Sequence, residues 1–426
     1  MEVIHVTAES SPTVADAIIR RLREHGVRHV FGYPGGQITP LYDALYRTQG
    51  IRHILARHEQ AAGFMADGYA RATGNPGVCL AVCGPGVLNA ATPLATSFTD
   101  SIPVLMLSGQ IPIKGRGLRS GFYHENDQLS ACSTFTKLQV RVEEPGAVFR
   151  EVDRAYMATM DRRPGPVLLE VPLDVLRQPV PAPAPPVPLA NTLMPSRPID
   201  ITALAELVGS WCKPLLLAGG GVVSPYASQL FVQVAERLGA AMFHTLSGKS
   251  AVPGDHPLAR GLPWHQATSD LTSMGPFFSP LFSEADGMLA VGCRFTQAST
   301  GSWTVPQPPA LAQIDIDEAE LGRHYPVKVG VHADAADALR ALLAKLPGSR
   351  RQPWAPPVTP RAPWRLPGID LLGTMRRLLP RDAIIAADIT RLSYIMLSEF
   401  PVYEPRTFLH PAEGGVPESN GGDSDG

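Results

Sequence analysis

Val78–Cys83 reads Val-Cys-Leu-Ala-Val-Cys, with no polar residue among the six, and Gly84-Pro85-Gly86 follows at once. A strand with one wet face alternates apolar and polar residues. One that does not alternate is covered on both faces, as strands are inside a parallel sheet. The pattern recurs along the first 178 residues. Val27–Phe31 runs into Gly32-Tyr33-Pro34-Gly35-Gly36, with helical spacing before it over Val14–His25 and after it through Tyr46. Ile51–Ala56 precedes a helix over Ala61–Thr73. Pro103–Ser108, a helix near Ala147–Met160 and a strand at Val167–Val171 close the series. Strands that alternate with helices predict an α/β domain over 1–178.

Proline-rich stretches at 179–198 and in 348–367 predict extended linkers, because proline removes a donor and fixes φ. Between them, 199–347 repeats the style. Leu215–Ala218 runs into Gly219-Gly220-Gly221, and a helix over Ala227–Leu238 follows. Strands near Ala241–His244, Met288–Val291 and Leu311–Ile316 and a helix over Ala333–Leu346 complete a second α/β domain. A third segment, 368–412, begins with a helix at Ile369–Leu379 and a strand at Ala383–Ala387 and then stops. Residues 413–426 are glycine-rich and acidic, with one aliphatic side chain, and are expected to be disordered.

Lys+Arg 37 against Asp+Glu 39 gives a net charge of -2, which argues against a polybasic nucleic-acid binder. The charge-free stretch Ala72–Thr99 is long enough to span a bilayer. Its Pro76, Gly77, Gly84, Pro85, Gly86 and Pro93 make it a buried strand, turn and helix instead. No signal peptide is visible, so a cytoplasmic protein is expected. Cys79, Cys83, Cys132, Cys212 and Cys293 are scattered and odd in number, and read as buried small hydrophobes rather than metal ligands or disulfides.

The glycine turns at Gly32–Gly36, Gly84–Gly86 and Gly219–Gly221 allow close approach of a ligand, or are simple tight turns. Arg57-His58-Glu59-Gln60 follows a strand and opens a helix. Glu59 is therefore either a carboxylate that favours a helix N-terminus or one placed where ligands bind, at the carboxyl edge of a parallel sheet.

Val30–Tyr46 (VFGYPGGQITPLYDALY), Ala56–Gly74 (ARHEQAAGFMADGYARATG), Cys83–Pro112 and Arg162–Val175 resemble the pyrimidine-binding domain of thiamine-diphosphate enzymes, in the acetolactate synthase branch. Lys213–Val222, Gly254–Gly261, Ala285–Phe295 and Ala312–Val327 resemble that family's central domain. The resemblance covers about 13–412. It implies a thiamine-diphosphate-binding fold, a Rossmann-like central domain and a fragment of a second thiamine-diphosphate-binding fold. It gives Glu59 a role: the matching glutamate hydrogen-bonds N1' of the cofactor's aminopyrimidine, so that the 4' nitrogen can take the proton from C2. A 2-oxo acid then loses carbon dioxide with the cofactor as electron sink. Gly35 and Gly36 match backbone lying against the aminopyrimidine. Gln110 matches a glutamine lining the site, and Lys137 a lysine at the substrate entrance. His124 stands where the branch has glutamine, which puts true acetolactate synthesis in doubt.

By the same resemblance Gly219, Gly220, Gly221, Thr245, Leu246, Gly292, Arg294, Asp315 and Ile316 match positions that line FAD. Gln266 and Thr296 depart from that pattern, and an empty or altered site is the alternative. The family's Mg²⁺ is held by a Gly-Asp-Gly and a later asparagine. No metal ligands match here, and Asn420-Gly421-Gly422-Asp423 lies in a polar tail. The expected activity is decarboxylation of a 2-oxo acid with or without carboligation, absent in this short chain by itself. The alternatives are a simple decarboxylase and a non-catalytic oligomerising or nucleotide-binding remnant. A homodimer or homotetramer is expected, or a separate chain that supplies the missing domain, with no nucleic acid or membrane partner.

Overall fold

The computed structural model describes residues 11–115, 119–180, 199–266, 276–356 and 370–411. The chain divides into two compact units, Met1–Pro195 and Ser196–Gly426. The expected linker residues 181–198 and 357–367 and the tail 413–426 lie outside the described residues.

The first unit is a six-stranded parallel sheet. Its strands are β1 His29–Gly32, β2 Arg52–Leu55, β3 Gly77–Ala81, β4 Val104–Gln110, β5 Leu138–Arg141 and β6 Val167–Pro172, in the order β2-β1-β3-β4-β6-β5. Its helices are α1 Val14–Glu24, α2 Thr39–Arg47, α3 Glu59–Thr73, α4 Pro85–Asn89, α5 Ala91–Asp100, α6 Gln128–Cys132, α7 Val148–Ala158 and α8 Leu173–Leu176. The unbroken apolar runs are explained by two cores. Val78 and Leu80 pack with α1, α2 and α7, while Cys79 and Ala81 pack with α3, α5 and α6 on the other face. All the expected cysteines but one are buried as small hydrophobes. Cys212 is the correction, being exposed. Residues 179 and 180 join the unit: Pro179 bridges Thr13, and Val180 N donates to Pro12 O at 2.9 Å.

The second unit holds another parallel sheet: β7 Pro214–Ala218, β8 Ala241–His244, β9 Ala259–Gly261, β12 Gly287–Val291, β13 Leu311–Asp315 and β14 Val329–His332, in the order β14-β13-β12-β7-β8-β9. This is the doubly wound order of a dinucleotide-binding fold, with its reversal between β7 and β12. A small antiparallel pair, β10 Trp264–Gln266 and β11 Pro276–Phe278, lies between β9 and β12 in the chain. The helices are α9 Thr202–Ser210, α10 Pro225–Leu238, α11 Leu281–Glu284 and α12 Ala335–Lys345. Part of the expected second linker is docked. Trp354 Nε1 donates to Pro214 O at 2.8 Å and Arg351 Nη1 to Trp211 O at 2.8 Å.

Beyond it, α13 Leu371–Leu378, β15 Ile385–Ala386, α14 Arg391–Glu399 and β16 Phe408–Leu409 form a piece with one parallel strand pair. Lys249, 5% exposed, fastens this piece. Its ammonium donates to Leu397 O at 2.8 Å, near the negative end of α14, and lies 5.3 Å from the Phe408 ring centre. Carbonyl and ring favour the charged form, but burial outweighs them and pulls the pKa down to about 7. The folded state therefore binds fewer protons than the unfolded chain between that pH and the ordinary lysine value, and stability rises with pH across the window. From pH 7 to 9.5, wild type should gain about 3 kcal/mol over Lys249→Met in denaturant unfolding. A loss over that range would contradict this burial cost.

Candidate active site

The order β2-β1-β3-β4-β6-β5 reverses between β1 and β3, and the connections leave in opposite directions there. The crevice at the carboxyl ends of these strands is where open α/β sheets bind ligands. Gly35 and Gly36 follow β1, and Gly84–Gly86 follow β3. Glu59 follows β2 as the first residue of α3. His58 caps that helix, its Nδ1 accepting from Gln60 N at 3.1 Å. The far end of α3 is locked to α5, where Arg71 bridges Asp67 and Asp100 and Ser97 Oγ donates to Asp67 at 2.8 Å.

Glu59 is 7% exposed. Its Oε2 accepts from Asn89 Nδ2 at 3.1 Å, and among the described residues Oε1 accepts no hydrogen bond. A Cβ on Gly86 would stand 3.1 Å from Oε1 and 2.7 Å from Val82 Cγ1, so a larger residue would displace the carboxylate. A Cβ on Gly36 would meet nothing within 4 Å, whereas one on Gly35 would run into Val82. The helix N-terminus and Asn89 stabilise the charge on Glu59 while one oxygen stays available for a shared proton. The Tyr42 phenol is raised well above its ordinary range, first by burial and then by Glu59.

Gln110 is buried at the end of β4, but its amide is spent on the protein. Nε2 donates to Glu170 Oε2 at 3.0 Å and to Asn126 O at 3.2 Å, and Oε1 accepts from Ile111 N at 2.8 Å. A hydrogen bond from this amide to a substrate carbonyl, as expected from the sequence, has no free group here to make it. Gln110 instead ties the 119–127 loop to β6. Two residues that the sequence reading passed over complete the network. Glu170, fully buried on β6, pairs with Arg141 Nε. Gln128, fully buried, accepts from Gly84 N at 3.0 Å and donates to Gly109 O at 2.9 Å. A lone carboxylate inside Val-Leu-Leu-Glu-Val-Pro was the available signal for Glu170.

Lys137, expected at the substrate entrance, lies away from Glu59 within this unit. It stands just before β5, at the amino edge of the sheet, and its backbone N donates to Pro166 O ahead of β6. Its ammonium donates to Ala158 O and Asp161 O, both at 2.7 Å, capping the end of α7. Burial draws its pKa down to about 8 against the opposing charge of Asp161. Glu59 lies at the carboxyl edge, and strands of four to seven residues put roughly 15–20 Å between the edges. Lys137 does not join Glu59 in this unit.

In the second unit, Gly219, Gly220, Gly221 and Gly292 meet at the reversal between β7 and β12. A Cβ on Gly219 would collide with the Gly292 carbonyl, and one on Gly221 would lie 2.9 Å from Gly292 Cα. Thr245 Oγ1 accepts from Gly248 N at 3.1 Å, and Leu246 packs against the apolar cluster of Phe400 and Leu397. Asp315 Oδ1 accepts from Asp317 N at 3.0 Å, and burial raises its pKa to about 6 although Arg294 opposes the shift. Ile316 follows Asp315 at the end of β13. Backbone packing accounts for Gly219 and Gly221, and neighbouring groups engage Thr245 and Asp315. No orphaned polar atom among these residues points to FAD. Among the described residues there is no cluster of three metal-ligating side chains. None of the described helices is long and apolar enough to cross a membrane.

Two family models match the chain: the thiamine pyrophosphate enzyme N-terminal TPP binding domain over residues 12–131, and the thiamine pyrophosphate enzyme central domain over 201–342. A Pseudomonas aeruginosa protein described as a probable 2-ketoarginine decarboxylase, AruI, is 34% identical over 96% of this chain and 73% of its own length. The chain belongs to the thiamine pyrophosphate enzyme family. A Methanocaldococcus jannaschii protein described as a probable acetolactate synthase large subunit is 37% identical over 78% of this chain and 56% of its own length. The acetolactate synthase large subunit of Corynebacterium glutamicum is 34% identical over 80% and 54%. This chain thus spans a little over half the length of these acetolactate synthase relatives. The crystal structure of a Mycobacterium smegmatis protein assigned as a thiamin diphosphate-dependent enzyme matches with TM-score 0.77 and 25% identity, over 95% of this chain and 77% of that one.

The buried network carries its own test. Arg141→Met leaves the Glu170 carboxylate buried without its cation, and should lower the unfolding free energy by about 3 kcal/mol. Denaturant titration reads it, and a change under about 1 kcal/mol would mean that Glu170 does not depend on Arg141.

Proposed function

We propose that the whole enzyme decarboxylates a 2-oxo acid with thiamine diphosphate, and that Glu59 is the residue that activates the cofactor. The observation that carries this is the single available oxygen of a buried carboxylate at the strand-order reversal, beside Gly86. When bound, thiamine diphosphate supplies the electron sink for loss of carbon dioxide. Glu59 Oε1 would share a proton with its aminopyrimidine, Asn89 would hold the other oxygen, and the open space at Gly36 would admit the ring. A carboxylate shielded from bulk water shares a proton more strongly than one in solution, which is what the dry position of Glu59 provides.

The domain assignment belongs to the same reading: a pyrimidine-binding domain over 1–178, a central domain over 199–347, and the start of a diphosphate-binding domain over 368–412. No side chain of 368–412 is given to the family's Mg²⁺, and FAD has no part in the proposal. A second copy of the chain is the expected partner. Phe64, Met65 and Leu88, on α3 and α4, are 40%, 40% and 43% exposed, apolar area that such a copy would cover. A simple decarboxylase is favoured over an acetolactate synthase by the AruI relative, which matches nearly the whole chain, and by His124 in place of the branch's glutamine.

The test is release of carbon dioxide by the full-length protein with thiamine diphosphate and Mg²⁺. The substrates are pyruvate, 2-oxobutyrate, 4-methyl-2-oxopentanoate and 2-oxo-5-guanidinopentanoate. Glu59→Gln should lower kcat on the best of these by about 100-fold or more. A variant within threefold of wild type would remove Glu59 from the chemistry. Acetolactate from pyruvate would move the assignment to the carboligase.

A further inference from the structure

The helix α4 is five residues long, too short to hold its own geometry, because a first helical turn fixes more of the chain than its hydrogen bonds repay. Groups at its two ends hold it instead. At the front, Gly84 turns the chain with φ 66° and ψ -110°, a conformation that a residue with a Cβ avoids. Its N–H donates at 3.0 Å to Oε1 of Gln128, the first residue of α6. At the back, Asn89 Nδ2 donates at 3.1 Å to Glu59 Oε2, and Ala90 leads directly into α5. Between them, a Cβ on Gly86 would stand 3.1 Å from Glu59 Oε1. One short helix therefore borders both oxygens of the carboxylate.

Gln128 is fully buried, and an amide is costly to bury unless all of it is paired. Here it is paired. Besides Oε1, its Nε2 donates to Gly109 O at 2.9 Å and to Ser108 Oγ at 3.3 Å. The ladder between β3 and β4 ends at Ala81 and Ser108. Beyond that point the two chains part, and the Gln128 amide spans the gap from Gly84 N to Gly109 O as an inserted peptide group would. An apolar residue of the same length would fill the space but leave that N–H and that carbonyl buried and unpaired.

We propose that Gln128 is a positioning residue that acts on Glu59 through α4. Its hold on Gly84 N sets the helix, and the helix presents Asn89 to one carboxylate oxygen and leaves the other free. The proposal rests on the reading of Glu59 as the residue that activates the cofactor. A carboxylate shares a proton through an oxygen that is aimed, and a misplacement of about 1 Å can cost about 100-fold. Gln128 itself spends its hydrogen bonds on Gly84, Ser108 and Gly109, so its effect reaches Glu59 only by way of the turn and α4.

Three variants of the full-length protein test it. Gln128→Met keeps length and burial without the hydrogen bonds, Asn89→Ala changes an exposed residue at the other end of α4, and the third variant combines them. In the cofactor-free protein, the amides of Val87, Leu88 and Ala90 should exchange with deuterium about tenfold faster in Gln128→Met. That factor should exceed the one for α1 and α7, which open only with the whole unit. With bound thiamine diphosphate at equal occupancy, exchange of its C2 proton should slow about tenfold in Gln128→Met and about tenfold in Asn89→Ala. The double variant should also be about tenfold slower rather than a hundredfold, because both changes cut one path. Either single variant within about twofold of wild type in C2 exchange, or a double variant that multiplies the two losses, overturns the route through α4 and leaves Glu59 standing. If Gln128→Met does not fold, Gln128→Asn, one methylene shorter, takes its place in the same cycle. C2 exchange as fast in Glu59→Gln as in wild type overturns the reading of Glu59 first, and this proposal with it.

Discussion

The chemistry of the first unit depends on a reversal of strand order. β1 and β3 lie side by side, but their following connections leave for opposite ends of the sheet, and the gap between them opens only at the carboxyl edge. With apolar layers on both faces, this edge is where a polar ligand can reach the middle of the domain without unfolding it. Glu59, Gly36 and Gly84–Gly86 are there because the chain must turn there, and each turn is short enough to bring backbone within contact of the others.

The carboxylate is stabilised without being used up. A helix N-terminus and one asparagine amide oppose its burial cost, and one oxygen is left over. Other buried carboxylates among the described residues are matched: Glu170 by Arg141 and Gln110, and Asp67 with Asp100 by Arg71. This contrast sets Glu59 apart from the carboxylates that serve folding.

Much of this was legible in the sequence. Apolar strands without alternation announced a sheet covered twice, and the turn residues marked which edge carries ligands. The proposed role of Glu59 as more than a helix-favouring acid rests on the family resemblance, since position alone left both roles open. What sequence could not convey was side-chain pairing across the sheet. Gln110 looked like a substrate contact because nothing in Ser-Gly-Gln-Ile-Pro shows that Glu170, sixty residues later, takes its amide. Leu-Gln-Val-Arg is too short and too polar to announce β5, so the sheet edge that carries Lys137 was not legible. For Gly219 and Gly221 the sequence left close approach of a ligand and of another backbone both open, and what comes within contact of them here is the backbone of Gly292.

The central claim is that Glu59 activates the cofactor, and exchange of the C2 proton of bound thiamine diphosphate for deuterium tests it without any substrate. The account predicts that exchange on the full-length protein, followed by NMR after acid quench, is slower in Glu59→Gln than in wild type by about 100-fold or more at equal occupancy. Equal exchange rates in the two proteins would contradict it.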